Sequence, residues 1–573
     1  MASAPAIEIR SGGSVRTVLL AGAAVTVGRQ AGNALVLSEP LASRRHCVIE
    51  PHGRGFRVRD LGSSNGTFLN GARVRAGEFR PGDVLKVGET ELRLVEAGGS
   101  GGGTSADAGA ASAPAPAAVA EEEVEVLTPG DLVAFNAAQS AAIGDDYEGA
   151  LLRLADSLAD KQFADSEIAL YTARGTLAHA AQSAGRGGDA ADSVRLLRLI
   201  LLICFRTHAS DIHVEPKEQQ ALVRVRVDGS MIDLVRLEKA IAGKLTSMIK
   251  VLSDIDIAQR GIVQEGHFAA KVPDRRVDFR VSFAPAVYGQ KLVVRILDAA
   301  NAPATAERLG MPQHMLDHIL RISEMDAGTL LVCGPTGSGK TTTLYALLRS
   351  LDCAERNVVT IEDPVEIQLE GVTQLPVNDE QGNSFASLLR SILRQDPDVI
   401  LVGEIRDPET AKTALQAAIT GHLVFSTVHT RDTMGTLFRL LDLGCEPFML
   451  AQGLNLILAQ RLVRQLCPYC KTPVKLPDAK RAAVQAEHPE FRESFGKRGC
   501  PRCMGTGFAG RRGLYELLTI TPEVRDVILR SPTSSDIFEA LTKTGFRRLM
   551  QHGYDLVADG VTSLDEVERA VGV

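Results

Sequence analysis

Gly334-Pro335-Thr336-Gly337-Ser338-Gly339-Lys340-Thr341 is the stretch on which the reading of this chain turns. It satisfies G-x-x-x-x-G-K-[ST], a pattern whose residue types follow from what it must hold. Glycines let the backbone wrap so that its N–H groups face a phosphate. Lys340 adds an ammonium for the β- and γ-phosphates of ATP, and the Thr341 hydroxyl suits Mg2+. An apolar run, Thr329–Cys333, precedes the loop. A helical stretch, Thr341–Leu351, follows it and points its positive end at the phosphates. Strand, loop and helix together separate this motif from a chance Gly-rich turn. Thr342 completes the expected ATP-binding set.

Outward from the loop, residues 301–465 alternate apolar runs with helical stretches. The runs are Thr329–Cys333, Val358–Ile361, Val399–Gly403 and Leu423–Thr427. This predicts a mostly parallel sheet, an α/β core around the phosphate loop. Asp398-Val-Ile-Leu-Val-Gly-Glu404 is a buried strand ending in an acid suited to orient or polarise the attacking water. Ile361-Glu362-Asp363-Pro-Val-Glu366 is a second strand ending in acids, which suit Mg2+ or its waters; a solvated charge cluster competes for Glu366. His422 and His429 flank one strand, too far apart to share a metal ion. Either is a candidate to sense the γ-phosphate or position water, and a purely structural role is the alternative.

The full chain has 573 residues, room for roughly three to five domains. Its net charge of -7 gives no global basic field for nucleic acid. No secretory signal and no apolar run of roughly 18 residues is visible, so the expectation is a cytoplasmic protein, peripheral on the membrane at most. Residues 1–97 read as short strands separated by Gly, Asn, Ser and Pro, a β-sandwich. Residues 98–128 are Gly-, Ala- and Pro-rich with an acidic run, a flexible linker; about 25 such residues span roughly 25–30 Å. Residues 129–190 are expected to form a helical segment, 191–300 an α+β domain, 466–510 a cysteine element and 511–573 a small helical domain.

Several of these stretches together resemble the ATPases of type II secretion and type IV pilus assembly. They are Ala209-Ser-Asp-Ile-His213-Val-Glu-Pro, Val225-Arg-Val-Asp-Gly229, Gly334–Thr343, Thr360-Ile-Glu-Asp-Pro-Val-Glu366, Leu393–Asp407 and Thr420–Thr430. The resemblance runs from about 200 to 510. It implies a RecA-like α/β ATPase core over 301–465 and a homo-hexameric ring that hydrolyses ATP at subunit and domain boundaries and works through inner-membrane platform proteins. By position it implies arginines near the phosphates: Arg280 and Arg295 from the second N-terminal domain, Arg390, Arg394 and Arg406 from the core. Arg431 stands where the family commonly has Asn, and Ile367 where an aromatic residue is common. The family's usual first N-terminal domain is not recognisable.

Nine cysteines are present, four of them in Cys467-Pro-Tyr-Cys470 and Cys500-Pro-Arg-Cys503. Two such knuckles predict a closed tetrahedral Zn2+ site. Redox dithiols are the other reading, without a thioredoxin-like context around them. The resembled assembly ATPases carry the same element; retraction-type relatives lack it.

Near the beginning, Gly28-Arg29, Ser43-Arg-Arg-His46 and Ser63-Ser-Asn65-Gly-Thr-Phe-Leu-Asn70-Gly71 resemble a forkhead-associated domain. The resemblance implies a phosphothreonine-containing partner. Arg29 and Ser43 match phosphate-contacting positions, Arg44 or Ser64 could add to them, and Asn65 matches the residue that holds peptide backbone. Two other readings stay open: a phosphopeptide-binding scaffold with a degenerate motor, and a DNA-uptake or conjugation motor, for which basic channel residues are not evident.

Overall fold

A computed structural model describes residues 5–96, apart from 12–13, 20–24, 30–32, 34, 38–41, 44–45, 53–54, 62, 64, 81–82 and 89, and residues 147–572, apart from 159–162, 182–188, 299, 301–302, 304 and 531–532. The expected linker, the first part of the expected helical segment (129–146), Arg44 and Ser64 lie outside the described residues. The chain divides into two units, Met1–Val119 and Ala120–Val573.

The first unit has two sheets. One is six-stranded, in the order Ser14–Leu19, Pro5–Ser11, Thr90–Glu96, Val84–Val87, Thr67–Leu69, Ala72–Val74. The other is five-stranded: Leu35–Val36, Val25–Gly28, Cys47–His52, Gly55–Asp60, Ala76–Phe79. Residues from both, among them Ile7, Val27, Ile49, Phe79, Leu85 and Leu92, share one buried core. This is the expected β-sandwich.

The second unit begins with an eight-stranded antiparallel sheet. Its order is Leu177–His179, Ala169–Tyr171, Gln264–Lys271, Arg276–Ala286, Gly289–Leu297, Asp211–Pro216, Gln220–Val227, Ser230–Glu238. Alternation along Gln220–Val227 buries Ala221, Val223 and Val225, so one face is apolar. The helices Asp189–Arg206 and Lys239–Leu252 share that core. The sequence expectation of a separate helical segment over 129–190 needs correction. Tyr147–Ser157 is a helix, but its Leu151 and Leu154 join the α+β core. Ala169–Tyr171 and Leu177–His179 are strands, the first paired with Ala269–Lys271. Their hydrogen-bond partners come from far along the chain, which local propensity does not report.

The core sheet is seven-stranded, in the order Thr373–Pro376, Val358–Glu362, Val399–Val402, Leu423–Val428, Gly328–Cys333, Leu456–Leu466, Phe508–Thr519. All neighbours are parallel except the last pair. Leu330 and Val332 face one apolar cluster; Leu331 and Cys333 face another. Helices cover both faces, which is why these strands read as unbroken apolar runs. Phe508–Thr519 belongs to this sheet, so the boundary expected at 511 falls inside a strand. Cross-strand pairing with Leu456–Leu466 holds it there. Four helices, Pro522–Leu529, Ser534–Thr542, Leu549–Ala558 and Leu564–Val571, close the chain.

Candidate functional site

Five neighbouring strands of the core sheet run in one direction, and each brings a polar group to the same edge. Val358–Glu362 ends on Glu362, and Val399–Val402 is followed by Glu404. Leu423–Val428 is followed by His429, and Gly328–Cys333 by the phosphate loop. Leu456–Leu466 carries Gln460 just beyond the residue level with Cys333. Ligands of open parallel sheets lie at this edge.

The loop enters the helix Lys340–Leu348 through Gly339, which has φ +85°. The Lys340 ammonium, buried to 8% exposure, donates to the carbonyls of Gly334 (2.9 Å) and Pro335 (3.2 Å). Burial lowers its pKa from the ordinary lysine value, so an anion beside it would restore what desolvation removes. The buried Ser338 hydroxyl has no hydrogen-bond partner. A buried donor without a partner, beside a largely desolvated ammonium and an exposed Thr341, fits a phosphate and its Mg2+.

Glu404 is nearly buried. Its carboxylate meets the His429 ring at 3.2 Å (Nε2–Oε2) and the Arg406 guanidinium at 2.5 Å (Nη2–Oε1). That hydrogen bond raises the Arg406 pKa further. The structure therefore brings Glu404, His429 and Arg406 together. Glu362 is turned inward: it accepts from the Tyr345 hydroxyl, from Thr360 Oγ1 (2.6 Å) and from Gln374 Nε2 (3.0 Å). Three donors from the protein leave this carboxylate braced within the wall of the site. Burial and then the Glu362 bond push the Tyr345 pKa up.

His422 stands at the opposite end of the strand from His429. The six residues between span roughly 20 Å. Its Nδ1 bonds the Ala417 carbonyl at 3.0 Å, at the end of the helix Pro408–Ile419. The five arginines divide as well. Arg280 crosses from the α+β domain to donate to the Val365 carbonyl (2.8 Å) and to approach Glu366 (3.6 Å). Arg295 stays in its own sheet on Asp211 (3.3 Å), Arg390 pairs with Glu409, and Arg394 donates to the Arg390 carbonyl (2.9 Å).

Sequence reasoning passed over Gln460 and Arg461. Both are buried, and both bond the loops of the site. The signal was present: two strongly polar residues interrupt the apolar run Leu456–Ala459. Buried polar side chains imply a network.

The cysteine element closes the hairpin between Leu456–Leu466 and Phe508–Thr519. Sγ–Sγ distances are 4.0 Å (Cys467–Cys500), 3.9 Å (Cys470–Cys503) and 3.7 Å (Cys500–Cys503). All four sulfurs lie within 4.8 Å of one another. A tetrahedron with Zn–S bonds of about 2.3 Å has edges of about 3.8 Å, so the set fits zinc. Backbone N–H groups of Gly499 and Gly507 donate to Cys470 and Cys503 sulfurs at 3.3 and 3.2 Å, stabilising thiolates. The knuckle also touches the α+β domain: Met504 joins its core, and the Gly510 N–H donates to Asp228 at 2.8 Å.

In the β-sandwich, His46 is fully buried and organises the candidate phosphate end. The Ser43 N–H donates to its Nδ1 (3.0 Å), so Nε2 carries the proton and donates to the Gly66 carbonyl (3.1 Å). Burial lowers the His46 pKa, against the raising effect of that bond. Asp60 accepts from the Ser63 N–H (2.9 Å), the Ser63 hydroxyl and the Thr67 hydroxyl (both 2.5 Å). Arg29 donates its N–H to the Ser43 carbonyl (3.1 Å), and Arg29 and Asn65 are exposed. The loops carrying Arg29, Ser43 and Asn65 are thus joined through His46.

Comparison with known proteins bears on both units. A family model described as type II/IV secretion system protein matches residues 188–569, and an FHA-domain model matches residues 25–88. The type II secretion system protein HxcR of Pseudomonas aeruginosa is 42% identical over 381 residues, covering 66% of this chain and 78% of that protein. The type II secretion system protein E of Dickeya dadantii is 44% identical over 385 residues, covering 67% and 76%. The type IV pilus assembly ATPase PilB of Myxococcus xanthus is 40% identical over 387 residues, covering 67% and 68%.

Proposed function

Because this chain belongs to the type II/IV secretion system protein family and carries a forkhead-associated domain ahead of the matched region, we propose that it is a motor whose ATP cycle is governed by a phosphothreonine signal. The chain is an ATP hydrolase of the secretion and pilus motor class. No helix among the described residues is long and apolar enough to cross a membrane, so association with an inner-membrane platform is read as peripheral, with a homo-hexamer as the working form.

The observation that carries the reading is the shared edge of the core sheet, where the phosphate loop, Glu404 and His429 end adjacent parallel strands. The loop N–H groups and Lys340 bind the β- and γ-phosphates. Thr341 is the residue to hold Mg2+, which when bound neutralises phosphate charge. Glu404 accepts a hydrogen bond from the attacking water, and His429 and Arg406 orient its carboxylate. Arg280 brings a cation from the α+β domain toward the acidic box, where charge grows during phosphoryl transfer. Arg295, Arg390 and Arg394 are held by other partners and would serve across a subunit boundary. Glu362 braces Tyr345 on the phosphate-loop helix. Cys467, Cys470, Cys500 and Cys503 hold zinc as a structural clip. In the sandwich, Arg29 and Ser43 take the phosphate, with Arg44 or Ser64 adding to them, and Asn65 takes the peptide backbone.

Mg2+-dependent ATP turnover by the full chain tests this directly. Lys340→Ala should abolish it, and Glu404→Gln should abolish turnover while keeping nucleotide binding. Turnover that survives both changes would refute the assignment of this edge as the hydrolytic site.

A further inference from the structure

Gln460 is 2% exposed and takes no part in the roles described above. Its side-chain amide is used at both ends. Nε2 donates to the Ser338 carbonyl at 2.8 Å, and Oε1 accepts from the Thr343 hydroxyl at 2.7 Å. One residue therefore grips the phosphate loop and the first turn of the helix after it. The loop's glycines are shaped around the same residue. A Cβ added at Gly339 would meet Gln460 Nε2 at 2.8 Å, and one at Gly334 would meet the Gln460 carbonyl at 2.5 Å. Arg461, next along the strand, donates to that carbonyl (2.9 Å) and to the Arg431 carbonyl, two residues beyond His429.

The peptide plane gives these contacts a direction. A trans peptide points its C=O and the following N–H to opposite sides. Holding the Ser338 carbonyl toward Gln460 turns the Gly339 N–H away from the strand. A loop that binds anions through its N–H groups needs that orientation before the anion arrives; otherwise binding must supply the ordering. We propose that Gln460 is a positioning residue for nucleotide binding, which presets the phosphate loop through Ser338 and Thr343. The inference rests on reading the loop as an ATP site.

Two variants of the full chain test it, each read by thermal melting without nucleotide, by affinity for a fluorescent ADP analogue with Mg2+, and by the KM and kcat for ATP. Gln460→Leu removes both bonds and should raise the ADP Kd and the ATP KM by roughly tenfold or more, with kcat changed less. Adding Thr343→Val leaves apolar groups on both sides of the second bond. Melting should recover in part, while the KM stays raised because the Ser338 carbonyl still lacks its donor. Gln460→Glu keeps the acceptor for Thr343 and loses the donor to Ser338; it should raise the KM likewise, and it stands in if Gln460→Leu does not fold. A folded Gln460→Leu or Gln460→Glu with a KM within twofold of wild type would overturn the proposal. So would a double variant in which KM and melting recover together. Absence of ATP turnover in the wild type would instead count against the ATP reading itself.

Discussion

Glu566, on the last helix, is 2% exposed, yet it carries a charge at neutral pH because two guanidiniums surround it. Arg464 donates to both of its oxygens, at 3.0 and 2.6 Å, and Arg569 does the same at 2.5 and 2.8 Å. The Arg464 backbone N–H adds a fifth bond at 3.1 Å. These partners outweigh desolvation and bring the Glu566 pKa down to about 2 from an ordinary 4.5. Each tenfold in proton affinity is about 1.4 kcal/mol, so the carboxylate contributes on the order of 3 kcal/mol to folding. The folded pKa is depressed, so this stability is fully present above pH about 4.5 and is lost as pH falls toward 2. Glu566→Gln removes the charge at every pH. It should destabilise the C-terminal region by about 2–4 kcal/mol at pH 7, leaving two arginines facing a neutral amide. The penalty relative to wild type should shrink as pH falls from 5 to 3. Hydrogen exchange of the peptide spanning Leu456–Leu466 reads it, since the Arg464 amide is bonded to Glu566 directly. A penalty under about 0.5 kcal/mol at pH 7, or one that does not change with pH, would refute the reasoning.

Three further outcomes are expected. His429→Ala should lower kcat for ATP by one to two orders of magnitude, whereas His422→Ala should leave it within about twofold and lower the melting temperature through the lost bond to Ala417; equal kcat losses would contradict the placement. Elemental analysis of protein purified without chelator should give one zinc per chain, and Cys500→Ser should abolish it and speed hydrogen exchange in the helix Tyr147–Ser157, which packs near the knuckle through Met504. His46 has a lowered folded pKa, so the unfolded chain binds more protons just below pH 6.5. Stability of the β-sandwich should therefore fall as pH drops below about 6.5, and binding of a phosphothreonine peptide should weaken with it; a flat melting profile between pH 7.5 and 5.5 would oppose this.

How much of this was legible in the sequence depends on whether a feature is local. Gly328–Cys333 and Leu423–Val428 are buried on both faces, so they read as apolar runs wherever they are met. The phosphate loop and the four cysteines are defined by residue types at short spacing, and their geometry follows from that spacing. Ala169–Tyr171 is a strand of three residues, too short for alternation to register, and its pairing with Ala269–Lys271 is invisible until the chain is folded. The two histidines look equivalent as a pair, but only strand direction tells which meets Glu404. Arg280 and Arg295 are directly opposite on adjacent strands, yet one reaches Val365 while the other is held by Asp211. Gln460 became meaningful only when its strand fell beside the phosphate loop.

The cysteine element occupies the tip of a hairpin whose mouth is already shut. Leu466 pairs with Phe508, and the Cys467 N–H donates to the Gly507 carbonyl at 2.9 Å. Closing a loop costs entropy that grows only slowly with its length, and here the flanking strands bear that cost before the insertion begins. What lies between the knuckles is nevertheless anchored: the helix Asp478–Glu487 buries Val484 in the core shared with the C-terminal helices, and Glu487 and His488 bond Gln551 and Asp555 of that region. Its register is set by those helices, through the Lys471 bond to the Gly560 carbonyl and the Lys480 bond to Glu568 as well, and not by the strands on either side. The cysteine hairpin is thus a strut between the core sheet and the helical end of the chain, so loosening it would be felt first in those helices.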